Sequence, residues 1–324
     1  MTKPIELTTK MRSPMKVLSL CTGIAGDAAA FLHAGISHEM IAVAEFDPLA
    51  SAVLACRFPG VLNLGDINAI NHWKVYHGKV DLIITGIPCQ PYSSAGRQLG
   101  SEDARDLSTR VCEIIATVAP RFILIENVPQ FRTVQGGKPF AEFTGAIERA
   151  GYSLGYQVID AQDFVPQRRK RLFLCAYRGT PSTSPSELLA FAAGGAGRAK
   201  PGGAICDRAR SDPPGSSSVL YPPRLGTIMA SGSGLNRAGM KGHEMDFYVV
   251  QEFPEWGLTV RRPTPLEVLR AQGFPDWWLD DVTYRGRPLT NNQRYQLVGN
   301  SWPVPVAAAI LSEINAHWFA PASK

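Results

Sequence analysis

The sequence predicts an α/β fold, a sheet flanked by helices, and two observations carry that expectation. Short apolar runs closed by turn residues alternate with helical patterns along the first half of the chain. The polar residues with chemical potential sit where those runs end, which is the edge at which open α/β sheets bind ligands.

Met15–Leu20 (M-K-V-L-S-L) reads as a short buried strand. It runs into the glycine-containing turn 22–26, and a helix of small residues follows over 27–33, ending near Gly35. A second strand spans 40–44 and closes on Glu45, and Pro48–Arg57 reads as a helix. A third strand, 81–85, stops at Gly86-Ile87-Pro88-Cys89. A helix over 106–119 leads to a fourth strand, 122–125, closed by Glu126-Asn127. This alternation implies a parallel sheet with helices on both faces. Another apolar strand, 172–176, follows the basic run 167–171.

From 179 to 218 the chain is rich in Gly, Pro, Ser and Ala and reads as loops, either a plain linker or an insertion. Order returns at 225–229 and 247–250. A helix starts at Thr264-Pro265, with Thr as N-cap and Pro in the first position, and ends near 273–275. The last helix, apolar and rich in Ala, covers about 305–319.

With 324 residues, 45% of them hydrophobic, the chain can build a core without staples. No apolar run approaches the roughly 20 residues that span a bilayer. Residues 1–12 are polar and mixed, so a cytosolic protein is expected. The six cysteines form no C-x-x-C pair, which argues against a zinc ribbon or a dithiol redox site, and no metal is expected. A net charge of +5 permits a polyanionic partner without requiring one. Residues 179–287 hold 12 Lys and Arg against 11 Asp and Glu, so phosphate contacts there depend on placement and not on net charge.

Four groups carry the chemistry. The turn 22–26 is either a structural turn or a nucleotide-binding corner, where glycine lets the backbone approach a ligand and Glu45 could hold ribose hydroxyls. Cys89 is either a small buried hydrophobe or a thiolate nucleophile presented at the end of a strand. Residues 90–109, with Arg97 and Arg105, suit a polar loop able to close over a substrate. Glu126 either caps a helix or serves as a general acid with a raised pKa. Gln167, Arg169 and Arg171 alternate onto one face before a strand, where three donors could hold a base or phosphates, although a basic run is commonly a solvated surface.

Taken in order, these blocks resemble the DNA cytosine-5 methyltransferases along nearly the whole chain. Leu20-Cys21-Thr22-Gly23-Ile24-Ala25-Gly26 looks like that family's first cofactor motif, and Glu45-Phe46 and Gly65-Asp66-Ile67 like the next cofactor positions. Pro88-Cys89-Gln90 resembles its nucleophile motif, Glu126-Asn127-Val128 its acid motif and Gln167-x-Arg169-x-Arg171 its arginine motif. Residues 262–275 resemble the block that follows target recognition, and Gln296-x-x-Gly299-Asn300-Ser301 the final one.

The resemblance implies a Rossmann-like class I S-adenosylmethionine-dependent methyltransferase sheet, formed by 1–178 together with 288–324. It implies a smaller, irregular target-recognition domain at 179–287. It makes Cys89 the nucleophile and Glu126 the acid, with Arg169 and Arg171 beside them. It assigns Cys21, Gly23, Ile24, Gly26, Glu45, Phe46, Asp66, Ile67, Pro88, Asn300 and Ser301 to S-adenosylmethionine. Gln90, Ser93, Arg97, Arg105, Gln167 and Thr227 are assigned to double-stranded DNA, with the protein a monomer in a bacterial or phage-infected cell. Departures from the family pattern are Cys21 for the usual Phe, Ala25 for Gly, Tyr92 for Phe, 106–108 for the usual Gly-x-Leu, and Trp302 for a small aliphatic residue. Three rival readings fit the residues less well. The Cys-Phe-Thr element of tRNA-modifying relatives is absent, a catalytically silent homologue would have lost Cys89 or Glu126, and the glycine pattern is imperfect for a nicotinamide oxidoreductase.

Overall fold

The computed structural model describes residues 13–88, 107–195, 218–220, 249–253 and 257–319. Its frame is a six-stranded sheet of β1 (Met15–Leu20), β2 (His38–Ala44), β3 (Leu82–Gly86), β4 (Phe122–Asn127), β5 (Tyr152–Asp160) and β6 (Lys170–Arg178), in the order β2-β1-β3-β4-β6-β5. β2, β1, β3 and β4 pair in parallel, as expected. The sheet as a whole is mixed, since β6 runs antiparallel to both β4 and β5. Only residues 161–169 join β5 to β6. A parallel return needs a crossover of a dozen residues or more, so so short a link turns the chain back on itself.

Local chemistry sets the helices. α1 (Gly26–Ala34) ends where Gly35 adopts a left-handed φ of 65° and donates to the Leu32 carbonyl. α2 (Pro48–Arg57) is capped by Asp47, whose side chain accepts from Leu49 N at 2.9 Å, with Pro48 in the first position. α3 (Ser108–Val118) and α4 (Lys138–Arg149) cover one face of the sheet, burying Val111, Ile114, Phe140 and Ile147 against Leu18 and Ile83. On the other face α1 packs with α8 (Val304–Glu313), burying Phe31, Ile310 and Leu311 against Val17 and Ile84. Helices on both faces were expected. The last helix is shorter than expected, because beyond Glu313 the chain continues in wider π-type turns over Ile314–Phe319.

The stretch read as loops contains α5 (Pro185–Gly195). Ser-Pro-Ser-Glu at 184–187 is a capping box. Ser184 N and Oγ donate to the Glu187 carboxylate at 3.0 and 2.7 Å, and Glu187 N donates back to Ser184 Oγ at 3.3 Å. The Gly and Ser content obscured that signal. Leu188, Leu189 and Ala192 of this helix enter the same core as Met15 and Phe31, and so do Val268, Leu269, Phe274 and Trp278. Side chains from within 179–287 therefore pack into the core of the large sheet.

α6 (Pro265–Ala271) starts at Thr264, as the sequence predicts, with the full reciprocal capping box to Glu267. α7 (Asn291–Gly299) starts with a second one, Thr290 with Gln293. A small antiparallel sheet of β7 (Ser218–Leu220), β8 (Val249–Phe253) and β9 (Gly257–Arg261) and a hairpin of β10 (Thr283–Tyr284) and β11 (Arg287–Pro288) complete the described elements. The ordered stretch expected at 225–229 lies outside the described residues.

The seat of α5 on β5 depends on Gly155, where an added β-carbon would stand 2.5 Å from the Ser186 backbone nitrogen. Gly155→Ala is expected to cost about 1–3 kcal/mol through overpacking. Chemical denaturation checks this, and an unchanged midpoint would refute the close contact.

Candidate active site

The carboxyl ends of β1 to β4 open into a cavity of about 540 Å³. One wall is the turn after β1. Its Thr22 N reaches the Ala44 carbonyl at 3.2 Å and its Ala25 N the Thr22 carbonyl at 3.0 Å. Cys21, Gly23 and Ala25 have φ of 50°, 58° and 59°. Two of these three carry side chains, at a cost of about 1–2 kcal/mol each. The Glu45 carboxylate spans the turn, accepting from Gly23 N at 2.6 Å and from Asp47 N at 2.8 Å. Burial pushes its pKa up, against the pull of those two N–H donors. Beside it Phe46 is 69% exposed, which leaves a flat apolar ring free at the cavity wall. Asp66 is exposed and Ile67 buried, and both line the same wall.

Cys21 lies in this wall too, and burial, followed by the neighbouring charge of Glu45, pushes its thiol up to about 12. It is therefore held as a neutral thiol, which is a poor nucleophile. Burial raises Cys175 as well.

The opposite wall holds Glu126, buried at the end of β4, with Oε1 2.8 Å from Arg171 Nε. The antiparallel pairing of β6 on β4 brings the two together, since Asn127 lies opposite Leu172. Burial drives the Glu126 carboxyl above the usual carboxylate range, and the charges of Arg171 and Arg169 pull it partly back. The capping reading of Glu126 does not hold. The helical turn that follows, Pro129–Arg132, starts at Val128 with no side-chain cap.

Arg169 is 2% exposed, and its Nη2 donates to the carbonyls of Gly299 at 3.1 Å and Ser301 at 2.7 Å. The turn between α7 and α8 is thereby pinned to the cavity floor. The expected alternation of Gln167, Arg169 and Arg171 is present, with Arg168 and Lys170 exposed between them. Arg169 and Arg171 line the cavity, so the reading of the run as a solvated surface fits only Arg168 and Lys170. Gln167 is fully buried and does not line the cavity.

Asn300 and Ser301 line the cavity with Trp302. The Trp302 indole sits where only glycine fits at the end of β3. A β-carbon on Gly86 would stand 2.6 Å from Trp302 Nε1. Gly26 lies behind the wall and not in it, opening α1 beneath Ser301, whose Oγ would be 2.9 Å from an added β-carbon. Cys21, Gly23, Ile24, Glu45, Phe46, Asp66, Ile67, Pro88, Glu126, Arg169, Arg171, Asn300 and Ser301 thus meet around one space, while Gly26 and Gln167 do not. Cys89, Gln90, Ser93, Arg97, Arg105 and Thr227 lie outside the described residues. Sequence reasoning left Trp302 and Gln296 out of the site, although both line it. The departure at Trp302 was the available signal. Among the described residues no group of three or more His, Cys, Asp or Glu side chains could hold a metal ion, and no helix is long and apolar enough to cross a membrane.

A family model described as C-5 cytosine-specific DNA methylase matches residues 15–193 and 232–316. Type II methyltransferase M2.BsuMI of Bacillus subtilis is 30% identical over 313 residues, which cover 90% of this chain and 73% of that protein. Type II methyltransferase M.NgoBI of Neisseria gonorrhoeae is 29% identical over 315 residues, covering 91% of each. Among solved structures, the S. pombe Dnmt2 methyltransferase superposes with a TM-score of 0.67 at 19% identity, covering 94% of this chain and 99% of that one. A putative DNA modification methyltransferase encoded within an E. coli prophage reaches 0.63 at 18% identity, covering 94% and 100%. Both show the same fold. With most of the chain matched in order, from β1 to the turns after α8, the protein belongs to the C-5 cytosine-specific DNA methylases.

Proposed function

We propose that this chain transfers a methyl group from S-adenosylmethionine to carbon 5 of a cytosine flipped out of a specific duplex DNA sequence, through a covalent bond to Cys89. The observation that carries the proposal is the single cavity with two chemically different walls. A buried acid, Glu126, faces a wall of exposed ring and carboxylates.

The residues present fit the cofactor. The cavity volume falls within the roughly 300–1,000 Å³ common for small-molecule sites. Phe46 offers a face to an adenine, Asp66 and the Ile67 backbone an edge, and Glu45 a carboxylate to ribose hydroxyls. Gly23, Ile24, Asn300 and Ser301 would hold the amino-acid portion. When bound, S-adenosylmethionine supplies an electrophilic methyl group on a positively charged sulfur.

The protein's own groups prepare the base. The Cys89 thiolate forms a bond to carbon 6 of the ring, and the electron pair of the 5–6 double bond moves toward ring nitrogen 3. Glu126 donates its proton to that nitrogen, so carbon 5 becomes nucleophilic without a full negative charge on the ring. Arg171 keeps Glu126 aimed. Arg169, with its Nη2 on backbone carbonyls, positions the floor and does not hold the base. A base such as water then takes the proton from carbon 5, the 5–6 double bond re-forms as the thiolate leaves, and nitrogen 3 returns its proton to Glu126. A cytosine stacked in a duplex cannot enter such a cavity, so flipping, at a cost of a few kcal/mol, precedes chemistry. Cys89 follows Pro88, which stands in the cavity wall.

We assign target recognition to the part of 179–287 that contains β7, β8 and β9, since α5 and α6 pack into the large core. That the bacterial relatives are Type II methyltransferases supports duplex DNA as the substrate and a bacterial or phage-infected cell as the setting.

Two outcomes test the chemistry. Cys89→Ser is expected to abolish methyl transfer to duplex DNA while leaving cofactor binding in place, because a hydroxyl at its free pKa is a far weaker nucleophile. Tritium transfer from labelled cofactor, with modified cytosines mapped at single-base resolution, measures this. Full activity in that variant would overturn the mechanism, and transfer to tRNA but not to DNA would overturn the substrate.

The second outcome is a pH profile. Because burial raises Glu126, its proton is retained to higher pH than in an ordinary carboxyl. Turnover that needs this proton is full below the raised pKa and falls as pH climbs through it. Glu126→Gln should lower kcat by about 10²–10⁴-fold and remove that alkaline limb. Arg171→Gln removes a charge that lowers Glu126, so the limb should move to higher pH. A limb unmoved by both changes would belong to another group.

A further inference from the structure

A set of contacts behind the cofactor turn has no part in the chemistry above. The turn contains Ala25 at φ 59°, directly after Ile24, and Cys21 opens it at φ 50°. Side chains in this region of conformational space are strained, and such geometry persists only where the surroundings over-determine it.

The holding comes from residues 274–280. Trp278 Nε1 donates to the Ile24 carbonyl at 2.8 Å, across 254 positions of sequence, in a buried contact. Phe274, next to it at 5.6 Å between rings, has Cζ 3.4 Å from where a β-carbon on Gly26 would stand. The segment is gripped in turn by Arg57, the last residue of α2. Its Nε donates to the Trp278 carbonyl at 2.8 Å. Its Nη2 donates to the Trp277 carbonyl at 2.7 Å, and also to that of Asp280. Its guanidinium lies 5.4 Å over the Trp277 ring. α2 begins at Pro48, two residues beyond Phe46, so both ends of this clamp reach segments that line the cavity.

We propose that Trp278 is a positioning residue for the cofactor, its indole N–H holding the turn 22–26 in the left-handed geometry that presents Gly23 and Ile24 to S-adenosylmethionine. Without that hydrogen bond the turn relaxes toward conformations that a ligand cannot use. Apparent affinity falls by the fraction of molecules still competent. The effect lies in binding and not in the chemical step, because Trp278 lies outside the cavity lining.

This rests on the cofactor reading above, and the test separates the two. S-adenosylhomocysteine is titrated calorimetrically into the wild type, Trp278→Phe and Trp277→Phe, and the melting temperature of each is recorded without ligand. Trp278→Phe keeps an aromatic ring in place and removes the indole donor together with part of the ring's bulk, whose packing effect the melting temperature reads. It is expected to bind roughly tenfold more weakly, with a raised KM for S-adenosylmethionine and an unchanged kcat at saturation. Trp277→Phe, which keeps its backbone carbonyl for Arg57, should bind as the wild type does. A Trp278→Phe protein that melts lower yet binds with wild-type affinity would show a merely structural role and overturn the inference. If Trp278→Phe does not fold, Arg57→Met decides. Weakened binding there supports the clamp, and unchanged binding overturns it. A wild type that binds no S-adenosylhomocysteine would bring down the cofactor reading itself, and this inference with it.

Discussion

Arg169 is almost fully buried, and a guanidinium keeps its charge at any pH at which the protein folds, so its surroundings have to be built around it. Two backbone carbonyls of the α7–α8 turn accept from it, and the Glu126 carboxyl lies within reach of its field. Removing a partner from such a group leaves a buried charge uncompensated, which is strongly destabilising. Arg169, just before β6, thus ties the start of that strand to the turn that brings Asn300 to Trp302 under the cavity, and Arg171, two residues on, holds the acid at the end of β4. The chain separates these pieces widely, by 130 residues between Arg169 and Gly299.

Burial together with Arg171 and Arg169 explains why Glu126 is neither an ordinary carboxylate nor a wholly isolated acid. Desolvation favours its proton, while Arg171 and Arg169 favour its charge. A group poised between the two can give up a proton to a base and take it back. On the opposite wall Glu45 uses both carboxylate oxygens to bridge Gly23 and Asp47, which makes it structural before any ligand arrives. The two carboxyl groups therefore differ in role because they differ in partner. One is tied to guanidinium groups and the other to backbone N–H groups.

The floor of the cavity shows how a departure from a family pattern is absorbed. Trp302 brings an indole where a smaller residue is usual, and Gly86 leaves the space that receives it. Its ring meets Phe173 edge-on at 6.2 Å between centroids, so Trp302 is buried against the core while it still lines the cavity. Cys21 is accommodated differently, as a neutral thiol beside Glu45.

Much of this was legible in the order of residues alone. Strand ends, the N-cap at Thr264 and the stop at Gly35 rest on interactions within a few residues, so local pattern determines them. Of the residues that the motif blocks named, Glu45, Glu126, Arg169, Arg171, Asn300 and Ser301 meet around one cavity, while Gly26 and Gln167 lie outside its lining. Three things were decided only by the tertiary structure. α5 was hidden because its capping box lies in a stretch whose composition resembles a loop, and its stability comes from packing on β5 and α8. The burial of Gln167 and Arg169 was not legible, because alternation tells which residues share a face but not what covers it. The third is the contact of Trp278 with Ile24, which joins residues far apart in sequence. Its energy arises only once the sheet has folded and excluded water, so no local pattern could have carried it.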